Sequence, residues 1–417
     1  MLIAEDTNMI DYRLAQRIVL AQGQSFGLEA LPLDQAYGRI LAEEVRADRD
    51  YPPFNRAMMD GYAVRFSDLQ AGIRRFEVVA TLFAGDTLHG ADTLPGAVLQ
   101  GTAIRSGACY KIMTGAAVPD DADIVIRRED VEEMETVMQI RAGVANWKPG
   151  QAIARRGEDL RSGGLVIDRP CRCEPAIMGL LASLGRTVVT VQRRPGVALL
   201  TTGNEVVAAD APVSGVQIRN SNRWMLEAAL KKMGIGIAAH GHVQDDRDLL
   251  KKKLEQILAH DILILSGGVS AGDADYVPEV LTGLGAQALF HKIAIRPGKP
   301  VWCGRTASGG MIFALPGNPF SCLVNFVLLI RPYIEACWGL APAEPLGLPL
   351  EIPRAKKISL DEFFPVRVHG SPARLTPIAI NGSGDIRMGM LANGLALHPA
   401  GAGDLPAGAE LLCYSFT

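Results

Sequence analysis

From residue 176 onward the chain alternates between helical and extended patterning. AIMGLLASLG carries apolar residues at helical spacing, and TVVTVQ and VALLTTGNE are short β-branched and aliphatic runs. SNRWMLEAALKKMG, IAAHGHV, DRDLLKKKLEQILAH and DILILSGG repeat the alternation. Strands separated by helices of this length predict a parallel sheet covered on both faces. SCLVNFVLLIRPYIEACW (321–338) has the apolar content of a helix that closes such a domain. Residues 345–417 turn to short strands between glycines and prolines, the texture of a small β-barrel or sandwich.

Upstream the pattern differs. Within 9–23, Met9, Tyr12, Leu14, Ala15, Ile18 and Val19 recur at helical spacing, with Asp6 or Thr7 as the expected cap. LPLDQAYGRILAEEV (31–45) predicts a short strand, a turn and a second short helix, and the two prolines of DYPPFNRAMMDGYAV then break regular structure. Short β-rich runs follow (FEVVATLFAG, AVLQGTAIRS, CYKIMTG, DIVIRRED, ETVMQIRAG), and 147–175 is a turn-rich connector. The expected class is α/β plus β, with four parts. They are an N-terminal linker module (1–50 and 141–176), an inserted β-rich domain (51–140), an α/β domain (177–331) and a C-terminal β domain (332–417).

Composition narrows the function classes. The formal net charge of −3 over 417 residues argues against a nucleic-acid binder. The longest apolar run, CLVNFVLLI (322–330), is about half of the ~20 residues that a membrane span needs, and no signal-peptide pattern opens the chain. The seven cysteines have no metal-type spacing, which fits reduced thiols in the cytoplasm.

The candidate chemistry gathers at predicted strand ends, where open α/β sheets bind ligands. TTGNE brings Thr202, Gly203 and Glu205 to one such end, and SGGVSAGDAD brings Ser266, Gly267, Gly268 and Ser270, then Asp275, to another. Glycines let backbone amides approach an anion. Asp245 and Asp246 open a predicted helix, so capping is one reading; the other gathers Asp245 with Glu205 and Asp275 as hard oxygen ligands for Mg²⁺ beside a phosphate. KIAIRPGKP carries Lys292, Arg296 and Lys299, an anion-capturing set or a solvated basic loop, and its spacing sets Lys292 near Arg296 in a helix or on one face of a strand. Pro316 and Pro319 stiffen the LPGNP turn ahead of the closing helix. Asp60 and Thr114 occupy glycine-flanked turns, and Glu158 and Asp159 stand beside Arg155 and Arg156, with a structural ion pair as the plain alternative. No serine or cysteine is paired with histidine in a nucleophilic context.

In their order, PPFNRAMMDGYAV, KIMTGAAVP, RRGEDLRSG, TTGNEV, RNSN, SGGVSAGDADYV, KIAIRPGKP and LPGNP resemble the MoeA-like molybdopterin molybdenumtransferase family, related to the C-terminal part of gephyrin. The resemblance implies an elongated, homodimeric, multidomain subunit that inserts molybdate into adenylylated molybdopterin, releasing AMP, with Mg²⁺. It implies a molybdopterin adenylyltransferase upstream, a molybdoenzyme or cofactor carrier downstream, and no nucleic-acid or membrane partner. It implies roles for Asp60 and Thr114 across the dimer cleft, for Asp159, Glu205, Asp245 and Asp275, for Lys292, Arg296 and Lys299, for Pro316 and Pro319, and for Ser383 of the late GSG motif. Four positions depart from the family pattern: Asn204 for an aspartate, Asn55 and Ala57 for an acid and a hydroxyl, and Leu360 for an arginine, for which Arg367 or Arg374 is a candidate replacement. A non-catalytic cofactor-binding or carrier protein and an adenylylating enzyme are the alternatives.

Overall fold

The computed structural model describes residues 9–86, 104–168, 170–269, 276–356 and 358–416. The chain divides into two compact units, one of Met1–Ala42, Pro170–Met178 and Val188–Thr417, the other of Glu43–Arg169 and Gly179–Thr187.

In the first unit a helix spans Tyr12–Leu20, burying Tyr12, Ala15 and Val19 on one face. Its cap is Asp11, whose carboxylate accepts the Leu14 amide at 2.9 Å, rather than Asp6 or Thr7, which lie outside the described residues. The second helix expected within 31–45 does not form. A single 3₁₀ turn at Leu33–Gln35 gives way to Gly38 at φ 72°, and Ile40–Leu41 then continues as a buried strand. A left-handed glycine ends a helical path, and two fully buried neighbours suit a strand covered on both faces. Val188–Gln192, expected in the α/β sheet, instead pairs antiparallel with Leu28–Pro32. A β-branched run specifies an extended strand but not its partner.

The α/β sheet is built from β1 (Val197–Thr202), β2 (Ile237–Val243), β3 (Ile262–Ser266), β4 (Gln287–His291), β5 (Trp302–Arg305) and β6 (Met311–Leu315). Its helices are α1 (Ser221–Lys232), α2 (Arg247–Ile257), α3 (Val277–Gly283) and α4 (Pro319–Cys337). The strand order is β2-β1-β3-β6-β5-β4. The first four strands are parallel, but β5 runs antiparallel to both β6 and β4, so the sheet is mixed and not purely parallel as the patterning predicts. The cause is local: Thr306 donates to the Gly310 carbonyl at 2.8 Å, closing a turn far too short for a parallel crossover.

β1, β3 and β6 are buried along their whole lengths. Alternate residues feed two cores, as the twofold strand period requires. Val197, Leu199, Ile264 and Phe313 pack with Leu226, Leu230 and α4, while Ala198, Leu200, Leu265 and Ile312 pack with Leu250 and Leu254. Among the described residues α4 is the one helix long and apolar enough to cross a membrane, and 72% of that window is buried inside the protein. It includes a π turn at Phe326–Ile330.

The C-terminal sheet centres on Asp361–His369, paired antiparallel with Gly394–His398 and Arg374–Pro377, with Glu410–Ser415 and Leu346–Pro349 beyond. Its other neighbour is Ile295–Arg296, which adds to it in parallel. The KIAIRPGKP segment is therefore neither helix nor one continuous strand: Lys292 sits in a turn at φ 70°, and only Ile295–Arg296 is extended.

The second unit holds a six-stranded sheet ordered Ile124–Arg127, Gly61–Val64, Ala108–Ile112, Arg75–Leu82, Val137–Ile140, Val131–Glu133. Ala63, Ile112 and Val125 face one core, and Tyr62, Ile124, Ile126, Phe76 and Met138 the other. Asp68 is buried there, accepting Arg65 at 2.8 Å, the Ser106 hydroxyl at 2.9 Å and the Gly107 amide at 3.1 Å. Burial alone would raise its pKa, but these donors outweigh burial and hold it below 3.8. Because the native pKa is depressed, the stabilisation is complete above the unfolded value and is lost as pH falls through the native one. Asp68→Ala is expected to cost about 2 kcal/mol at neutral pH, since the Gly107 amide and Arg65, itself a third exposed, both lose their acceptor. Urea titrations at pH 7 and below pH 3 check this: the difference from wild type shrinks at the lower pH, and a gap unchanged with pH would contradict it.

Candidate active site

The loops after β1 and β3 meet, because the two strands are neighbours in register, Thr201 opposite Ser266. Between them lies a cavity of about 300 Å³ lined by Thr202, Gly203, Glu205, Asp245, Ser266, Gly267 and Gly268, and also by Arg219, Asn220, Asn222 and the Gly317–Pro319 turn. Gly267 and Gly268 have φ of 102° and 69°, and a Cβ on Gly267 would stand 2.5 Å from Thr202 Oγ1. Only glycine fits this approach. Thr202 Oγ1 is buried with no hydrogen-bond partner among the described residues.

The structure separates the two neighbouring aspartates. Asp246 caps α2, its carboxylate accepting the Leu249 amide at 2.8 Å. Asp245 instead faces the β1 loop, where it accepts the Asn204 amide at 3.2 Å while its own amide donates to Asn204 Oδ1 at 3.1 Å. An aspartate at 204 would set a second carboxylate against Asp245; asparagine keeps the reciprocal bonds without that repulsion. Glu205 and Asp245 share one cavity with the Thr202 hydroxyl, which has no partner among the described residues. Among the described residues no three His, Cys, Asp or Glu side chains form a metal cluster. Ser270 and Asp275 lie outside the described residues.

A second cavity of about 850 Å³ opens on the other side of the LPGNP turn, with Gly268, Gly317 and Asn318 common to both linings. Arg296, Lys299, Pro316 and Ser383 line it. Ser383 docks on the turn: Asn318 Nδ2 donates to its hydroxyl at 2.8 Å, and Phe320 N to its carbonyl at 3.1 Å. Asn325 is fully buried on α4 and donates to the Gly298 carbonyl at 3.2 Å, holding the RPGKP turn from beneath. Lys292 lines neither of these two cavities. The Ser266 hydroxyl is buried and faces Asn222, at 2.8 Å, and Cys322, at 3.3 Å.

The second unit joins two of the predicted turns. Both the amide and the hydroxyl of Thr114 donate to Asp60 Oδ1, at 2.8 and 2.7 Å. The amide first, then the hydroxyl, hold the Asp60 carboxyl below its ordinary 3.8. Asp159 is exposed, and Arg156 pairs not with it but with Asp50 at 2.7 Å, while Glu158 accepts the Arg155 amide. Asn55 accepts the Arg156 amide at 3.1 Å, tying the FNRAMMDG loop to RRGED.

Comparison with known proteins follows this geometry. Residues 10–185 match the family model described as "MoeA N-terminal region (domain I and II)", and residues 198–336 the one described as "Probable molybdopterin binding domain". A molybdopterin molybdenumtransferase of Synechocystis sp. is 31% identical over 382 residues, 90% of this chain and 92% of that protein. The chain belongs to the molybdopterin molybdenumtransferase family. Membership makes it a transferase of molybdenum cofactor biosynthesis. A Staphylococcus aureus member is 30% identical over 98% of this chain and 96% of its own. The crystal structure of the molybdopterin biosynthesis moeA protein from Pyrococcus horikoshii OT3 superposes with a TM-score of 0.80 at 25% identity, covering 98% of this chain and all of that one.

Sequence reasoning assigned no role within the RNSN motif. Asn220 caps α1 and donates to Thr201 at 2.7 Å, and Asn222 bridges Ser266 to the Gly317 carbonyl. The motif itself was the available signal. Arg367 and Arg374, the suggested stand-ins at Leu360, are exposed and line neither cavity; from the same C-terminal segment Arg354 lines the larger one. In Thr114→Val the amide remains and the hydroxyl is lost, so the Asp60 pKa is expected to rise part of the way toward 3.8. Carboxyl-carbon NMR titration reads it, and an unmoved pKa would contradict the assigned cause.

Proposed function

We propose that the chain inserts molybdate into adenylylated molybdopterin, breaking the phosphoanhydride to release AMP and form the molybdenum cofactor. The observation that carries this reading is the pair of cavities sharing the LPGNP turn, one bearing the carboxylates of Glu205 and Asp245, the other the cations Arg296 and Lys299. A phosphoanhydride with its metal suits the first, and a tetrahedral dianion the second.

Glu205, Asp245 and the Thr202 hydroxyl are hard oxygen donors suited to Mg²⁺, which binds through one or two carboxylates shared with substrate phosphate. Mg²⁺ held there would neutralise charge on the phosphate oxygens as the anhydride breaks. Gly203, Gly267 and Gly268 form the turns against which the phosphates lie; the Gly203 and Gly267 amides donate to the Val243 and Leu315 carbonyls, at 3.3 and 3.0 Å, and so fix those turns, with Ser266 holding them from behind. Arg296 and Lys299 supply positive charge for molybdate and Ser383 a hydroxyl, beside the Pro316–Pro319 wall. Fixed donors aimed at developing charge supply most of the rate in such sites. Asp60, Thr114, Asp159, Asp275, Ser270 and Lys292 are assigned to the same reaction on the family resemblance. So are a homodimer, an upstream adenylyltransferase and a downstream molybdoenzyme or carrier. The seven free thiols fit work in the cytoplasm.

The test is AMP release from adenylylated molybdopterin with molybdate. Glu205→Gln and Asp245→Asn are each expected to lower turnover about 100-fold. Asp246→Ala, which removes only the helix cap, is expected to cost about 1 kcal/mol of stability with turnover intact. Wild-type turnover in Asp245→Asn would sink the metal-side assignment, and tight pterin binding by wild type without AMP release would favour the carrier reading.

A further inference from the structure

Among the described residues, the larger cavity is lined by three cationic side chains, Arg296, Lys299 and Arg354, and one carboxylate, Glu362. Arg354 differs in how it is built. Its guanidinium lies 3.9 Å from the centroid of the Phe364 ring, with one nitrogen 3.0 Å from Glu362 and another 2.7 Å from His398 Nδ1. His398 is fully buried, and its Nε2 faces the Gly403 carbonyl at 2.7 Å. A carbonyl only accepts, so Nε2 carries the proton and Nδ1 of the neutral ring accepts from Arg354. Backbone bonds in both directions with Leu405 fix the arginine's own main chain. Of the five N–H donors of a guanidinium these contacts use two, and the side chain retains 17% exposure where it lines the cavity.

A lone arginine–glutamate pair is often structural. Here the pair is braced by a ring face and a buried imidazole, which orients the group rather than merely neutralising it. Leu360 lines the same cavity six positions further on. It offers no charge, so any anion contact from this part of the wall must come from elsewhere.

We propose that Arg354, held by Glu362, His398 and Phe364, is an anion-binding residue of the larger cavity that contacts molybdate from the C-terminal domain. This rests on the assignment of that cavity to molybdate. Arg354 sets affinity for the oxyanion, and Glu362 and His398 are positioning residues that act through it.

The experiment compares wild type, Arg354→Lys, the double variant Arg354→Gln/Glu362→Gln, which avoids stranding a half-buried carboxylate, and that double variant with Leu360→Arg added. AMP release is measured against molybdate and against adenylylated molybdopterin, and molybdate binding alone is measured by equilibrium dialysis. Loss of a charge-assisted contact predicts about a tenfold higher molybdate KM and Kd in the double variant, with the KM for the pterin substrate unmoved. Leu360→Arg should recover most of the loss, and Arg354→Lys, which lacks the planar fork, only part. A folded double variant with wild-type molybdate Kd, or with both substrates weakened equally, overturns the proposal. Wild type that binds molybdate but releases no AMP would count against the reaction and not against Arg354, since dialysis still reads its contact.

Discussion

The turn from Pro316 to Pro319 is gripped from both sides, and both cavities depend on that grip. Asn222 donates to Ser266 and to the Gly317 carbonyl, while Asn318 donates to Ser383. Buried polar groups need partners, so the buried Asn222 amide fixes the Gly317 backbone, while the exposed Asn318 ties the turn to the Ser383 hydroxyl. Pro319 opens α4 at a position where a missing N–H costs nothing, and Asn318, freed from capping by its side chain, spends that side chain on the C-terminal domain instead. One rigid turn thus forms part of the lining of two chemically different spaces.

The two spaces sort charge by sign. Glu205 and Asp245 line the smaller one, and arginine and lysine dominate the larger. Opposite fields so close favour a substrate that carries both a metal-bridged phosphate and a separate oxyanion, and they disfavour either ligand in the wrong place. Asn204 contributes by holding Asp245 through reciprocal bonds without adding a competing carboxylate.

Much of this was legible in the sequence, and the exceptions have a common cause. Patterning located β1, β2, β3, α1, α2 and the closing helix α4, and the TTGNE and SGG turns do meet in one sheet. Burial pattern does not name a partner, however. Val188–Gln192 was therefore assigned to the parallel sheet although it pairs with Leu28–Pro32, and the antiparallel β5, set by the short turn at Thr306–Gly310, went unread. Asp245 and Asp246 are indistinguishable as letters; only the approach of Asn204 separates ligand geometry from cap. Arg354 was missed because its orientation comes from Glu362, His398 and Phe364, which converge from separate points along two strands. Asp60 and Thr114 were legible only as residues of two glycine-flanked turns; that the Thr114 amide and hydroxyl both donate to Asp60 comes from the pairing of Gly61–Val64 with Ala108–Ile112.

Where the oxyanion sits decides the account. Tungstate, a heavier tetrahedral dianion of the same charge, can be soaked into crystals and located by anomalous scattering. The account predicts a single strong peak in the 850 Å³ cavity, within reach of Arg296, Lys299 and Ser383. A peak in the smaller cavity between Glu205 and Asp245, with the larger one empty, would contradict it.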